Sequence, residues 1–281
     1  MSAGTLFLVA TPIGNLEDIS ARALRVLGEV GLIAAEDTRQ TRKLLSHYNI
    51  HTPLTSYHEH NKLTKLDQVL AALAQGDVAL VSDAGTPALN DPGFELVRAA
   101  LGAGYQVSPI PGASAPISAL VASGLPTDAF LYLGYLPRKA AERRRLLEEV
   151  GSLAYTLIFL ETPHRLLASL GDLRKVLGDR DAAIARELTK LHEEFFRGKL
   201  SQALAYFNAQ PPRGEFTLVI EGHTVPAERW SEDRLRVALI EALSRDVQPS
   251  RIASRLAAES GWPRRDVYRL AVELSGDDAP D

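Results

Sequence analysis

The chain has 281 residues, a formal net charge of −4 and an apolar content of 46%. This length and apolar content predict about two globular domains with ordinary cores. The absence of cysteine excludes disulfide bonds, thiolate catalysis and cysteine-ligated zinc. No segment reaches the roughly 20 apolar residues of a membrane helix, and no basic flank precedes the apolar N-terminal segment. We therefore expect a globular cytoplasmic protein, in which local basic patches can still bind nucleic acid.

In chain order, short apolar runs alternate with segments of helical periodicity. The first run is TLFLVA at 5–10, and the helical pattern ISARALRVLGEV and the apolar run GLIAAED follow it. The alternation continues through RQTRKLLSHY, VALVS, FELVRAALGAG and YQVSPI, which ends at residue 110. Such alternation is typical of βαβ units, so we expect an α/β fold with a largely parallel sheet.

Three loops rich in glycine and proline follow strands of this predicted sheet. TPIGN at 11–15 follows the first strand, DAGTPALNDPG at 83–93 a middle one, and PGASAP at 111–116 the last. A βα connection needs only about 2 to 6 residues, so the middle loop is longer than necessary. The loops are either simple connections or, because ligands bind beyond the carboxyl ends of such strands, the wall of a ligand site. The motifs GxGxxG and GxxxxGK[ST] are absent, which disfavours dinucleotide and P-loop sites.

The second half repeats the alternation from AFLYLGY to EFTLVIEG, after a break at SGLPTD that predicts a domain boundary. Beyond HTVPAER, apolar spacings of three and four predict a three-helix unit that resembles a helix-turn-helix. We therefore expect an α/β domain at 1–124, a second α/β domain at 125–224 and the helical unit at 225–281. That unit either contacts nucleic acid through Arg264 and Arg265 or serves as a packing or dimerisation cap.

Several long motifs occur in a fixed order: LVATPIGNLEDISARALRVL, IAAEDTRQTRKLL, SYHEHN, LVSDAGTPALNDPG, PGASAPISALVASGLPTDAFLYLGYLPRK and FLETPHRLLASL. Over roughly residues 5–223 they resemble the ribosomal RNA small-subunit methyltransferase I family, among the tetrapyrrole-methylase-like S-adenosylmethionine enzymes. The resemblance implies two α/β domains of the tetrapyrrole methylase type with S-adenosylmethionine in the cleft between them. It also implies a homodimer that methylates the ribose 2′-oxygen of a cytidine in the decoding centre of 16S rRNA, in the small ribosomal subunit.

Carried over position by position, the resemblance implies a cofactor wall built from the three loops and from the second domain. Relatives that methylate tetrapyrroles usually have Gly-Pro-Gly-Asp in place of PIGN and Gly-Asp-Pro in place of GTP, so their specificity does not transfer. These departures replace a loop carboxylate by the hydroxyl of Thr86. The implied cofactor-binding residues are Pro12, Ile13, Gly14, Asp83, Gly85, Thr86, Leu89, Ser114, Ala115, Leu160 and Leu188.

Methyl transfer to a hydroxyl is an in-line displacement, so alignment of the reacting groups supplies much of the rate. A general base adds about 10²- to 10⁴-fold. Glu161, at the end of a predicted strand, is the preferred base. Asp37 has a second interpretation as a helix N-cap, and His58 as an ordinary loop residue. The other candidate acids and bases are Glu36, Asp37, His58, Glu59 and Asp83.

No metal is expected, because the residues around His58 have no established ligand spacing. Arg39 and Arg186 suit the binding of a phosphate or a carboxylate better than proton transfer.

The strongest basic run is RKAAERRR, which directly follows YLP at the start of the second domain. It is either a solvated helix face or a border of the cleft that binds RNA phosphates. Its cations are Arg138, Lys139, Arg143, Arg144 and Arg145.

Two other functions remain open at this point. One is a tetrapyrrole C-methyltransferase, which the loop departures disfavour. The other is a regulator whose α/β domains bind a metabolite and whose helical unit binds DNA.

Overall fold

The structure is a computed structural model that describes residues 4–58, 62–224, 230–244 and 249–276. The chain divides into two compact units, Met1–His223 and Thr224–Asp281. None of the described helices combines the length and the apolar character needed to cross a membrane.

The first five strands form a parallel sheet in the order β3-β2-β4-β1-β5, as the alternation predicted. The chain moves outward from β1 through β2 to β3 and then returns to β4, which lies between β2 and β1. The loops that follow β1, β4 and β5 are distant in sequence, but they therefore meet at one edge of the sheet. The strands are β1 (Thr5–Val9), β2 (Leu32–Ala35), β3 (Leu54–Ser56), β4 (Val78–Val81) and β5 (Gln106–Ile110). The helices are α1 (Ala21–Glu29), α2 (Thr38–His47), α3 (Lys62–Leu73), α4 (Phe94–Gly102) and α5 (Ala115–Ser123), with a short 3₁₀ helix at Leu16–Asp18.

The central strand β4 is buried along its whole length, which explains why its sequence, VALV, is continuously apolar rather than alternating. Two apolar clusters cover the two faces of this sheet. One includes Leu27 and Ile33, and the other includes Leu73 and Leu96.

The next five strands form a second sheet in the order β6-β7-β10-β8-β9. Only β6 and β7 pair in parallel, whereas β7, β10, β8 and β9 pair antiparallel. The strands and helices predicted between AFLYLGY and EFTLVIEG are confirmed. The antiparallel pairing was not predicted, and it is possible because β8 and β9 are joined directly without a crossover helix. The strands are β6 (Phe130–Tyr135), β7 (Thr156–Glu161), β8 (Asp181–Arg186), β9 (Glu194–Lys199) and β10 (Phe216–Ile220), and the helices are α6 (Ala140–Val150), α7 (Pro163–Leu177) and α8 (Leu200–Ala209).

Helix α5 connects the two halves of the first unit. It ends at Gly124, whose left-handed φ of 82° closes the helix. Its residues Ala119 and Leu120 pack against Ile158 and Val219 of the second sheet. Helix α5 thus precedes the predicted boundary in sequence but buries its apolar face on the second sheet.

The second unit contains α9 (Glu232–Leu243), α10 (Pro249–Ser260) and α11 (Arg264–Gly276). The three helices enclose a small apolar core that includes Leu239, Leu256 and Leu270, as the periodicity predicted. Ser231 caps α9 by accepting a hydrogen bond from the Arg234 amide. The Trp262 indole nitrogen donates to the Trp230 carbonyl at 2.7 Å, so the Gly-Trp-Pro break is anchored to the start of the unit.

Candidate active site

The first two glycine-rich loops are joined to each other at the carboxyl edge of the parallel sheet. Thr11 and Gly85 exchange two backbone hydrogen bonds, of 2.9 and 3.0 Å. The Thr11 hydroxyl also donates to the Ser82 carbonyl at 3.2 Å, and the Thr86 hydroxyl reaches the Ala113 carbonyl of the third loop at 3.4 Å. The three loops therefore form one connected wall.

The middle loop is long because it turns repeatedly and reaches the second sheet. Gly85, Ala88, Asn90 and Gly93 all have positive φ, from 64° to 148°, which few non-glycine residues adopt without strain. The Asn90 side chain lies against Gly134, where an added Cβ would be only 2.2 Å from the Asn90 amide nitrogen. The additional turn formers thus carry the loop across the cleft rather than merely closing a βα connection.

A cavity of about 260 Å³ lies between this wall and the second sheet, slightly below the roughly 300 to 1,000 Å³ of typical ligand pockets. We call it the first cavity. Nine of the eleven predicted cofactor residues line it, namely Ile13, Asp83, Gly85, Thr86, Leu89, Ser114, Ala115, Leu160 and Leu188.

Pro12 and Gly14 do not line the first cavity but a neighbouring one, which we call the second cavity. A Cβ added at Gly14 would lie 2.3 Å from the Lys190 Cγ and 2.9 Å from the Leu188 carbonyl oxygen. The glycine is therefore needed for a close approach to the second half of the chain. Contact of Pro12 and Gly14 with the cofactor therefore stays a prediction.

The carboxylates of Asp37 and Glu161 are occupied by protein groups. Asp37 caps α2 and pairs with Arg39 at 2.8 Å, and the hydrogen bond from the Arg39 side chain lowers its pKa to about 2. Glu161 lines the first cavity, but its Oε1 accepts from the Thr162 amide at 2.8 Å, and its Oε2 accepts from Ser169 Oγ at 2.5 Å and pairs with Arg165 at 3.1 Å. We therefore revise the expectation that either residue is the general base.

Glu36 and Asp91 line the first cavity and have raised pKa values. Burial raises the pKa of Glu36, although a hydrogen bond from the Asp83 amide partly offsets this. Burial, followed by the charge of Glu36, raises the pKa of Asp91 to about 6, while a hydrogen bond with Ser82 opposes this shift. A carboxyl group with this pKa is suited to proton transfer near neutral pH.

Asp91 belongs to the DAGTPALNDPG loop, where aspartate is a common turn residue, and it was not among the candidates drawn from the sequence. Several second-sheet residues of the same cavity were not among them either. Tyr132 and Tyr135 line it from β6, and burial, with the charges of Tyr135 and Asp91, raises the pKa of Tyr132 to about 12. The signal in the sequence was the aromatic pair in LYLGY at the end of a predicted strand. Glu215, Phe216 and Thr217 also line the cavity from the start of β10.

The remaining polar candidates lie outside the first cavity. His58 follows β3 and does not line the cavity, and Glu59 lies outside the described residues. Arg186 pairs with Glu194 at 2.9 Å and donates to the Arg213 carbonyl at 2.8 Å. In the described part of the chain, no group of three or more His, Asp or Glu side chains is arranged to hold a metal ion.

The predicted RNA-binding run on α6 is largely neutralised by acidic residues. Lys139 pairs with Glu142 and Arg145 with Glu149, at 3.0 and 3.1 Å. Arg144 pairs with Asp172 at 2.7 Å. The Lys139 and Arg145 pairs lie on the surface, where such pairs are weak and can open for another anion, whereas the Arg144 pair has a buried carboxylate.

Arg143 differs from the other cations of α6 because it is buried. Its guanidinium contacts Asp172 at 2.5 Å and donates to the Pro137 carbonyl at 3.2 Å. Burial alone would raise the pKa of Asp172, but the hydrogen bonds from Arg144 and Arg143 outweigh it and lower the pKa. Arg143 is thus a structural anchor, and the expectation that it contacts RNA is wrong. Arg138 is exposed, as are Arg264 and Arg265 at the start of α11.

Comparison with known proteins identifies the family. Residues 5–204 match the Tetrapyrrole (Corrin/Porphyrin) Methylases. The chain is 50% identical to ribosomal RNA small subunit methyltransferase I of Synechocystis sp. over 278 residues, 98% of this chain and 99% of that relative. It is 48% identical to the relative of the same name from Thermotoga maritima over 220 residues, 78% of this chain and 99% of that relative. Among solved structures, diphthine synthase shares the fold, with a TM-score of 0.61 at 13% identity over 79% of this chain and 91% of that chain. The chain therefore belongs to the tetrapyrrole methylase family and, within it, to the ribosomal RNA small subunit methyltransferase I family.

Proposed function

We propose that this protein transfers a methyl group from S-adenosylmethionine to the ribose 2′-hydroxyl of a cytidine in 16S rRNA. The observation that carries the proposal is the identity over nearly the whole chain with relatives named ribosomal RNA small subunit methyltransferase I. The first cavity, with its rigid wall and its half-buried Asp91, is the site that suits this chemistry.

The first cavity fits the methyl donor of this family. S-adenosylmethionine supplies a methyl group on a positively charged sulfur, in a molecule that also has an apolar adenosine face. Leu160 and Leu188 offer apolar contacts, the wall offers backbone groups close to Gly85, and Asp83 and Asp91 place negative charge at the same cavity. We propose that the nine predicted cofactor residues that line the first cavity hold the donor. Thr86 is proposed to be one of its polar contacts.

Asp91 is the proposed acceptor of the ribose proton. As the 2′-oxygen bonds to the methyl carbon and the carbon–sulfur bond breaks, the hydroxyl proton passes to the Asp91 carboxylate. Glu36 assists because its charge helps to keep the pKa of Asp91 near 6. The connected loops contribute alignment, which is the larger part of the rate enhancement in a displacement of this kind.

We further propose that the substrate is the small ribosomal subunit, that the enzyme acts as a homodimer, and that the domains are those expected from the sequence. Because ribosomal subunits are assembled in the cytoplasm, the proposed substrate implies the same location.

The relative from Thermotoga maritima aligns over 99% of its own length and leaves about a fifth of this chain without a counterpart. The helical unit is therefore proposed to add affinity for RNA, through Arg264 and Arg265, rather than chemistry.

The proposal is tested by incubating the purified chain with radiolabelled S-adenosylmethionine and small subunits from cells that lack this methylation. We expect label in 16S rRNA and none in a tetrapyrrole such as uroporphyrinogen III offered in parallel. Label in the tetrapyrrole alone would instead favour the C-methyltransferase alternative.

A further inference from the structure

The second cavity adjoins the first and is larger, at about 500 Å³. The two cavities share four lining residues, Ile13, Asp83, Ala84 and Glu215. The second cavity is bounded on one side by the loop that contains Pro12 and Gly14 and on the other by α2. A molecule that occupies it would therefore be in reach of one that occupies the first cavity.

Helix α2 presents a basic surface at the rim of the second cavity. Its buried residues are Thr41, Leu44 and Leu45, whereas Arg39, Arg42 and Lys43 are exposed. Residues three and four apart are neighbours on a helix, so the three cations share one exposed region. We call this region the α2 basic face.

Few acidic side chains neutralise the cations of the α2 basic face. The helix sequence, TRQTRKLLSH, contains no acidic residue. Arg39 pairs with Asp37, but its side chain remains 83% exposed. Lys43 hydrogen-bonds Gln40 at 3.0 Å, and within residues 4–58 and 62–224 neither Arg42 nor Lys43 forms an ion pair.

Both signs of charge border the second cavity. Lys43 lines it from α2, and the exposed residues Asp83 and Glu215 line both cavities, at the wall that the two share. Lys190 lines only the second cavity and is already paired with Glu187 and Glu215, each at 2.9 Å. Cations suit the anionic phosphates of a nucleotide, and the Asp83 carboxylate can accept a hydrogen bond from a ribose hydroxyl.

We propose that the α2 basic face and the second cavity together bind the RNA substrate. Arg39, Arg42 and Lys43 contact phosphates of the strand, and the target nucleoside enters the second cavity with its ribose toward the shared wall. The inference rests on the proposed function and adds to it the place where RNA binds.

The test uses the full chain with Arg42→Ala and Lys43→Ala combined, which leaves the Asp37–Arg39 pair intact. The matched control is Arg174→Ala with Lys175→Ala, an exposed Arg-Lys pair in the last turn of α7. The control pair lies about 16 Å along that helix from Pro163, away from the cleft. Filter binding measures the affinity for unmethylated small subunits over a range of salt concentrations, and calorimetry measures the affinity for S-adenosylmethionine.

Each lost phosphate contact reduces the slope of log affinity against log salt by about 0.7 for single-stranded RNA. The double variant loses two such contacts, so we expect the magnitude of its slope to fall by about 1.4. Its affinity at about 0.1 M salt should fall about 25-fold. Its affinity for S-adenosylmethionine should stay unchanged, and the control should match the wild type in both measurements. Arg42→Lys, which keeps the charge, should retain most of the affinity.

Three results would overturn the inference while methyl transfer by the wild type still supports the proposed function. The first is unchanged subunit affinity in the double variant. The second is an equal loss in the Arg174 and Lys175 control. The third is a change of oligomeric state in sedimentation with no change in RNA affinity, which would make this face an interface between copies. If the wild type itself fails to methylate subunits, the proposed function fails instead.

Discussion

Two helices of the first unit, α2 and α6, are rich in basic residues. They differ in how many of their basic side chains have acidic partners. Helix α6 and the loop before it contain the longer run, yet Lys139, Arg144 and Arg145 each have an acidic partner and Arg143 is buried. In the described part of the first unit, the longer run leaves only Arg138 exposed without an acidic partner, whereas the shorter α2 run leaves both Arg42 and Lys43. The position of acidic partners, rather than the density of basic residues, is the reason why we propose α2 as the RNA-binding helix.

The same distinction separates the carboxylates of the site. Glu161 and Asp37 are held by Arg165 and Arg39, and they stabilise the fold. Glu36 and Asp91 also have hydrogen-bond partners, the Asp83 amide and Ser82, but burial outweighs these bonds and both pKa values stay raised. A carboxylate paired with an arginine serves structure, whereas a carboxyl group with a raised pKa beside a cavity is suited to proton transfer.

The largest expected effect concerns the buried anchor of α6. Asp172→Ala leaves Arg143 buried without its partner, and removal of one member of a buried ion pair costs about 3 to 5 kcal/mol of the free energy of unfolding. Urea denaturation measures this loss. Glu149→Ala, which removes the partner of the exposed Arg145, should cost less than about 1 kcal/mol. Equal losses in the two variants would mean that α6 does not contain a buried anchor.

The second prediction separates the two carboxylates of the first cavity. Asp91→Asn should reduce the single-turnover rate by about 10²-fold or more, at saturating cofactor and subunit, because the proton acceptor is lost. The low-pH limb of the rate profile, near pH 6 in the wild type, should disappear. Glu161→Gln should lower stability and keep that limb. A limb that persists in Asp91→Asn and vanishes in Glu161→Gln would reverse the assignment.

The third prediction concerns the cofactor wall. Gly85 and Gly104 both have left-handed φ, of 81° and 83°, but a Cβ at Gly85 would lie 3.3 Å from Ile13 whereas Gly104 faces open space. Valine at either position should therefore cause similar backbone strain. Only Gly85→Val should weaken S-adenosylmethionine binding, by at least about 10-fold in calorimetry. Similar affinities in both variants would mean that the cofactor does not bind against Gly85.

The smallest expected effect is the pH dependence of stability. Because folding raises the pKa of Asp91 to about 6, its protonated form is favoured in the folded protein. Its contribution to stability is present at low pH and is lost as the pH rises through about 6. Asp91→Asn should therefore flatten the decline in melting temperature between about pH 4 and pH 6. A decline of equal size in the variant would mean that Asp91 is not buried as described.

The sequence predicted the parallel sheet and the three loops at its carboxyl edge, because βα periodicity and loop composition are local signals. The cofactor-binding residues were implied by the family resemblance, and they stay a prediction. The antiparallel part of the second sheet was missed because the pairing of β10 between β7 and β8 is a long-range contact. Arg143 was misassigned because its partner Asp172 is 29 residues away. Asp91 was overlooked because turn propensity explained its presence, and only the folded loop places it beside Glu36.

Methylation of a ribose oxygen of 16S rRNA by this chain can be measured on the product itself. Subunits treated with the enzyme and labelled S-adenosylmethionine are digested to nucleosides, and mass spectrometry identifies the labelled nucleoside. We expect a single labelled nucleoside, 2′-O-methylcytidine, in an amount that approaches one per subunit. Label on a base or on another nucleoside, or no label in the RNA, would overturn the proposed function.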